Sequence, residues 1–283
     1  MIKQRYLLVG LTFIVFWSAN VLTSAQIKLG VATSVSKADK VKAAGGDYIE
    51  ESVMGFLMPL KSDAEFAENL KRAKESPLPI YACNGFFPAE IKLTGSDRDH
   101  AKGLQYAETA FRRAQMVGIK YIVLGSSKSR DYPEGYDRET GIQEFVDFLK
   151  KIGLIAAKYG VVVVIEPLNR KESVFLNTVK EGVAIVKRVK HKNIQCLADF
   201  YNMLEENEGP EVLVKEKKYI YHCHVAEKEG RSVPGTHNED LTPYYNALKK
   251  AKYKGGLSIE ARWSDFDKQV VSGIANLKEK TAQ

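Results

Sequence analysis

Eight times along this chain, a short apolar run of strand length gives way to a stretch with helical periodicity. Runs of four to six residues are too short for buried helices and suit strands, and strands separated by helices pair in parallel. The predicted strands are Ile27–Ala32, Asp47–Glu51, Pro79–Asn84, Tyr121–Gly125, Val161–Ile165, Ile194–Asp199, Ile220–Val225 and Leu257–Glu260. Between them the spacing predicts helices over Ser36–Ala44, Asp63–Lys74, Asp97–Val117, Thr140–Tyr159, Val179–Val189, Pro210–Glu216 and Pro243–Lys252, with a helical tail from Asp265. In the third of these, Ala107, Ala110, Phe111, Ala114 and Val117 share one face. Ser126–Arg138 reads as a loop. An α/β fold of the (β/α)8 barrel type follows, and 283 residues is an ordinary length for one such domain. An open doubly wound sheet is the competing architecture. It would carry a glycine-rich phosphate turn after its first strand, where this chain has G-V-A-T-S-V-S.

The first 25 residues stand apart. Lys3 and Arg5 precede an apolar segment from Leu7 to Trp17, and Thr23-Ser24-Ala25 is a small-residue cleavage site. The segment is well short of the ~20 apolar residues that a spanning helix needs. Residues 1–25 are therefore expected to be a signal peptide, leaving a barrel domain over 26–283 that is exported (periplasmic or secreted) and free of the membrane after cleavage. No cysteine follows the apolar segment to take a lipid anchor.

The remainder keeps 40 basic against 35 acidic side chains, spread over lysine-rich helix faces such as 180–192. Without a basic stripe interleaved with aromatics, a nucleic-acid partner is not expected. Cys83, Cys196 and Cys223 each fall inside a predicted strand and read as buried thiols rather than a disulfide framework.

Reactive groups of such barrels collect at the C-terminal ends of the strands. The fifth run, V-V-V-V-I, is β-branched throughout and ends abruptly in Glu166-Pro167. A carboxylate at the end of a buried strand is costly unless paired or bound to a cation. The next ends supply Asp199, then His222 and His224 on one face of the seventh strand, then Glu260. Each has an ordinary explanation: Glu166 paired with Arg170, Asp199 capping a turn, a histidine satisfied in the core, Glu260 paired with Arg262. Together they suit one divalent cation acting as a Lewis acid on a carbonyl and hydroxyl pair. An oxygen-rich set with one imidazole favours Mn²⁺, with Mg²⁺ or Co²⁺ as alternatives, over zinc. His224 lies nearer the strand end and is the ligand, and His222 lies deeper as a hydrogen-bonding group. Asn84 and the following Phe86-Phe87 are candidates to line the mouth, the competing reading being core aromatics under a loop. One of Glu50 and Glu51 points inward, and His237 lies in the loop after the seventh strand.

The segments I-E-P-L-N-R-K-E, A-D-F-Y-N-M, Y-H-C-H-V-A-E-K-E-G-R-S-V-P-G and Y-K-G-G-L-S-I-E, in this order, resemble the xylose isomerase-like TIM barrel superfamily (AP endonuclease family 2 type). Within it the chain is similar to sugar isomerases and epimerases of the D-tagatose 3-epimerase and hydroxypyruvate isomerase type. The resemblance implies one metal held by Glu166, Asp199, His224 and Glu260, with Glu166 and Glu260 doubling as the acid/base pair. It implies substrate contacts from Glu172 and Arg231, with His222, Asn202 and Asn84 as further substrate-binding candidates. Two departures stand out. Asn202 replaces the substrate-contacting histidine that usually follows the strand-six aspartate, and Arg231 lies one residue further from His224. Relatives are often oligomers, so a homo-oligomer is an expectation.

Two carboxylates flanking an enediolate permit epimerisation or isomerisation, according to which carbon receives the proton. The same enediolate can expel a β-leaving group, which on a 3-keto-glycoside makes the site a lyase. Export and the absence of a phosphate cradle favour a non-phosphorylated sugar or keto-sugar. A non-catalytic sugar-binding barrel is a further alternative. The DNA-repair endonucleases that share this barrel need more histidines at strand ends than His100, His191, His222, His224 and His237 provide.

Overall fold

A computed structural model describes residues 27–282, so the signal-peptide reading of residues 1–25 lies outside the described residues. Eight parallel strands close into a barrel in chain order: β1 (Lys28–Ala32), β2 (Tyr48–Ser52), β3 (Ile80–Asn84), β4 (Tyr121–Leu124), β5 (Val162–Ile165), β6 (Ile194–Asp199), β7 (Ile220–Val225) and β8 (Gly256–Ile259). Strand β1 pairs with both β2 and β8, which leaves no free sheet edge. The α-helices are α1 (Ala38–Ala43), α2 (Asp63–Glu75), α3 (His100–Val117), α4 (Ser127–Arg130), α5 (Arg138–Lys158), α6 (Val179–Val189), α7 (Phe200–Glu205), α8 (Glu211–Lys215), α9 (Thr242–Ala251) and α10 (Phe266–Thr281). None of the described helices is long and apolar enough to cross a membrane.

Helix starts follow their caps. Helix α3 begins at His100 rather than at Asp97 because the Asp99 side chain accepts the Lys102 N–H. Helices α2 and α6 open on capping boxes, Ser62 with Glu65 and Thr178 with Glu181. Two short helices differ from the sequence expectation. Helix α4 lies inside the predicted loop, and α7 follows β6 without a break. Helix α4 is S-K-S-R, with no apolar residue to set a period, and α7 continues from the strand with no turn residue between.

Apolar packing forms two layers. The outer layer, including Phe111, Phe145, Phe148 and Ile152, fills the space between barrel and helices. A smaller cluster of Ala82, Tyr121, Val123, Val164 and Leu197 fills the lumen. Because side chains alternate along a strand, residues two positions further on also face inward. From Ala82, Val164 and Leu197 these are Asn84, Glu166 and Asp199. The barrel interior is thus apolar in its middle and charged at its mouth. A register shift at Cys196/Leu197 sets Asp199 level with His224, which in turn is level with Ser258. The three cysteines are buried free thiols.

Candidate functional site

Glu166 and Glu260 each sit one residue past a strand, and their N–H groups still donate to the neighbouring strand, to Leu124 O at 3.1 Å and to Val225 O at 3.2 Å. This places both carboxylates at the rim with the backbone held in the ladder. Pro167 then removes the next donor and ends β5. One ligand atom from each of Glu166, Asp199, His224 and Glu260 lies within 4.8 Å of all the others. Room for Glu166 is made by Gly125 at the end of β4, where a Cβ would overlap the Glu166 carboxylate. Arg130, fully buried on α4, donates from Nη1 to the Glu166 carbonyl at 2.7 Å and so fixes the strand end. Nothing in the polar stretch S-K-S-R-D singled out that arginine.

The donor set suits a hard divalent cation, with three carboxylates and one imidazole. His224 Nδ1 lies 3.3 Å from Glu166 Oε1 and 3.2 Å from Glu260 Oε2. Both His224 Nδ1 and Glu166 Oε1 are buried and without a hydrogen-bond partner. Orphaned buried polar atoms are rare, and a cation between these two would satisfy both. Arg231 supplies positive charge from the open side. Its Nη2 lies 3.4 Å from Asp199 Oδ2 and pairs with Glu260, and its Nη1 lies 3.6 Å from Glu172 Oε1. The guanidinium stacks 4.7 Å from the Tyr201 ring centroid, a contact the sequence did not signal.

Electrostatics divide the carboxylates. Burial, followed by the charge of Glu260, raises the Glu166 carboxyl above its ordinary range. Burial pushes Asp199 up to about 7, with Arg231 opposing and Glu166 and Glu260 adding. Burial acts on Glu260 as well, but His224 and Arg231 outweigh it and hold that carboxyl low. Burial disfavours the His224 cation, yet Glu50 and Glu260 raise it well above its usual range. Glu166 and Glu260 are therefore pushed in opposite directions by their surroundings.

The other predicted site residues fall in distinct places. Asn84 donates to Glu260 Oε1 at 2.8 Å and holds that carboxylate. Asn202 is buried, donates to Asp199 Oδ2 at 2.8 Å and accepts from Asn169, so its polar atoms are committed within the protein rather than free for a substrate. His222 is also fully buried, one layer below His224, where it meets Glu50 and not the mouth. Its place is the deeper hydrogen-bonding one. Glu172 is a third exposed and reaches the mouth beside Arg231. Of the two strand-two acids, Glu50 turns into the lumen, whereas Glu51 Oε1 accepts the Val35 N–H. Phe86 and Phe87 are not a sugar wall. Both are buried and pack on each other and on Tyr106, with Phe111 and Phe148 at their edges. His237 lies in a half-open loop pinned by the buried Glu227, which accepts the Gly235 and His237 N–H groups.

The ordinary pairings of Glu166 with Arg170 and of Glu260 with Arg262, the alternatives to a shared site, are not what the structure holds. Arg170 points outward to Glu206, and Arg231 takes the place beside Glu260. Asp199 does cap α7, accepting the Tyr201 N–H through Oδ1 at 3.0 Å, while Oδ2 remains toward the cluster. A cavity at the other end of the barrel, between Tyr81, Tyr121, Lys120 and Tyr253, is lined by no carboxylate or imidazole. The chemistry belongs to the C-terminal mouth.

The sequence profile of the xylose isomerase-like TIM barrel family matches residues 38–280. The chain belongs to that family. A D-psicose 3-epimerase of Agrobacterium fabrum is 30% identical over 227 residues, covering 78% of this chain and 77% of that protein. A 3-dehydro-D-guloside 4-epimerase of Escherichia coli is 29% identical over 224 residues, covering 76% and 85%. Among solved structures, D-psicose 3-epimerase in the presence of D-fructose superposes with a TM-score of 0.79 over 91% of this chain and 100% of that one, at 22% identity. In this member of the xylose isomerase-like barrels, the structure brings together at the mouth the four residues that the sequence resemblance implies as ligands.

Proposed function

We propose that the protein is a divalent-metal-dependent sugar epimerase or isomerase acting on a non-phosphorylated ketose or keto-sugar. The observation that carries the reading is the convergence of Glu166, Asp199, His224 and Glu260 with two orphaned donor atoms between them. The kinship to ketose 3-epimerases supports the substrate class. A cation held by these four residues would supply Lewis-acid stabilisation of the charge that develops when a proton leaves the carbon next to a carbonyl. Mn²⁺ fits the donor chemistry best.

The chain's own residues do the rest. One of Glu166 and Glu260 removes the proton, and the other returns one from its own side. Arg231 bridges Glu172, Asp199 and Glu260, and orients a polyol at the open side of the cluster. Asn84 keeps the Glu260 carboxylate aimed at the mouth. Return to the same carbon with inversion is epimerisation, and return to the adjacent carbon is isomerisation.

A second reading is β-elimination from a 3-keto-glycoside. The resemblance to a 3-dehydro-D-guloside 4-epimerase supports a keto-glycoside as substrate though not its elimination, and a leader of the signal-peptide type in residues 1–25 suits a protein that meets glycosides outside the cytoplasm. The test is product analysis with Mn²⁺ on free ketoses and on 3-keto-glycosides. New ketose epimers or isomers support the first reading. Release of aglycone with no change in free ketoses would overturn it in favour of the second.

A further inference from the structure

Beneath the mouth, both imidazoles of β7 end on a single carboxylate. His224 Nε2 lies 2.8 Å from Glu50 Oε1, and His222 Nε2 lies 2.8 Å from Glu50 Oε2. Ser258 Oγ donates to Glu50 Oε2 at 2.6 Å. Since a hydroxyl has one proton, the Tyr48 hydroxyl 2.8 Å away must donate to Ser258 in turn. Among the described residues no lysine or arginine pairs with Glu50. The lumen is shaped for this network. A Cβ at Gly30 would overlap the Tyr48 ring, and one at Gly256 would come within 2.6 Å of the Tyr48 hydroxyl and 3.0 Å of His222 Nδ1.

We propose that Glu50 is a positioning residue that selects Nδ1 of His224 as the metal donor. A carboxylate has no proton to give, so each imidazole must present Nε2–H to it. That leaves the lone pair of His224 on Nδ1, the atom that faces Glu166 and Glu260. His222 occupies the second oxygen of Glu50 and keeps the carboxylate from swinging toward the mouth. The inference rests on the metal-dependent reading of the site and adds to it a residue from the far side of the barrel, on β2.

Glu50→Gln tests it with little change of volume. One carboxamide offers one acceptor and one NH₂, so it cannot receive Nε2–H from both imidazoles. Titration calorimetry with Mn²⁺ on metal-free protein should show affinity about 10- to 100-fold weaker than wild type, the range found when a ligand's hydrogen-bond partner is removed. Ser258→Ala, which strips one donor from Glu50 without touching a ligand, should weaken Mn²⁺ binding in the same direction by less. A spectroscopic readout separates positioning from a merely structural role. In Co²⁺-loaded wild-type protein, one hyperfine-shifted exchangeable imidazole proton, His224 Nε2–H, should persist in water because Glu50 protects it, and Glu50→Gln should lose it.

Wild-type Mn²⁺ affinity in Glu50→Gln with an unchanged Co²⁺ spectrum would overturn the role of Glu50 and leave the metal site standing. A wild-type protein that takes up neither Mn²⁺ nor Co²⁺ would overturn the proposed function and this inference with it. If Glu50→Gln does not fold, the protected proton in wild type and the Ser258→Ala affinity decide, and absence of both effects would overturn the proposal.

Discussion

Glu166 and His224 face one another across the barrel mouth with Oε1 3.3 Å from Nδ1, and neither atom has a hydrogen-bond partner. Two polar atoms so placed are stable together only with a proton or a cation between them. The pair ties the reactive end of β5 to β7, two strands away.

Glu166→Gln keeps the volume and removes one member of the proposed acid/base pair. Turnover should fall by about 10² to 10⁴, the usual contribution of general acid–base catalysis, while circular dichroism and the melting transition stay close to wild type. Steady-state kinetics at saturating Mn²⁺ provides the check. Appreciable residual activity would take Glu166 out of its catalytic role.

Gly125→Ala approaches the same carboxylate from β4. The added Cβ would overlap the Glu166 carboxylate, which is buried and has little room to move away. The expected result is a lower kcat and weaker Mn²⁺ binding with the barrel still folded, read by kinetics and calorimetry side by side.

Metal removal should act on both activity and stability. Chelation should abolish turnover, and Mn²⁺ should restore it. At a free concentration 100 times the dissociation constant, a ligand specific for the native state contributes about 2.7 kcal/mol, visible as a rise in melting temperature. No shift with Mn²⁺, Co²⁺ or Mg²⁺ would contradict a metal site.

The pH dependence of the metal-free protein follows from Glu50 and His224. His224 is raised in the fold by Glu50 and Glu260 against its burial, so its contribution to stability is full below the unfolded histidine pKa of about 6.5 and is lost as pH rises through the folded value. Burial raises Glu50, but His224 and His222 outweigh it and hold Glu50 well down. Its contribution is therefore full above about 4.3 and is lost as pH falls. The two contributions coincide between about 4.3 and 6.5, where chelated protein should melt highest with respect to this pair. Because His224 must shed its proton to bind a metal, Mn²⁺ affinity should instead rise with pH, with proton release measurable by calorimetry in buffers of different ionisation enthalpy.

Phe86→Ala separates core from mouth. Phe86 is fully buried, 4.1 Å from the Phe87 ring centroid and 5.5 Å from that of Phe111. Truncation should cost about 3 to 5 kcal/mol in denaturant unfolding, with KM of the folded fraction nearly unchanged. A selective rise in KM would restore the aromatic wall.

The alternation of strand and helix was written locally. Each β-branched run and each amphipathic face depends on neighbours within a few residues, and β6, α6 and β7 match their predicted limits. Strand-end chemistry was legible for a related reason. Glu166, Asp199, His224 and Glu260 each lie at or within one residue of a strand's C-terminal end, and a parallel barrel brings all strand ends to one mouth. Helices α4 and α7 escaped because one has no apolar residue to set a period and the other continues directly from β6. What only the tertiary structure decided were contacts between residues far apart in the chain. Arg231 replaced Arg170 and Arg262 as the neighbour of the carboxylates, and Phe86 and Phe87 turned to the core. Glu50 met His222 and His224 across the lumen, 172 and 174 positions away in sequence. Local pattern determines which face of a strand looks inward. Only closure of the barrel determines what it meets there, because that partner lies on another strand at a depth set by register.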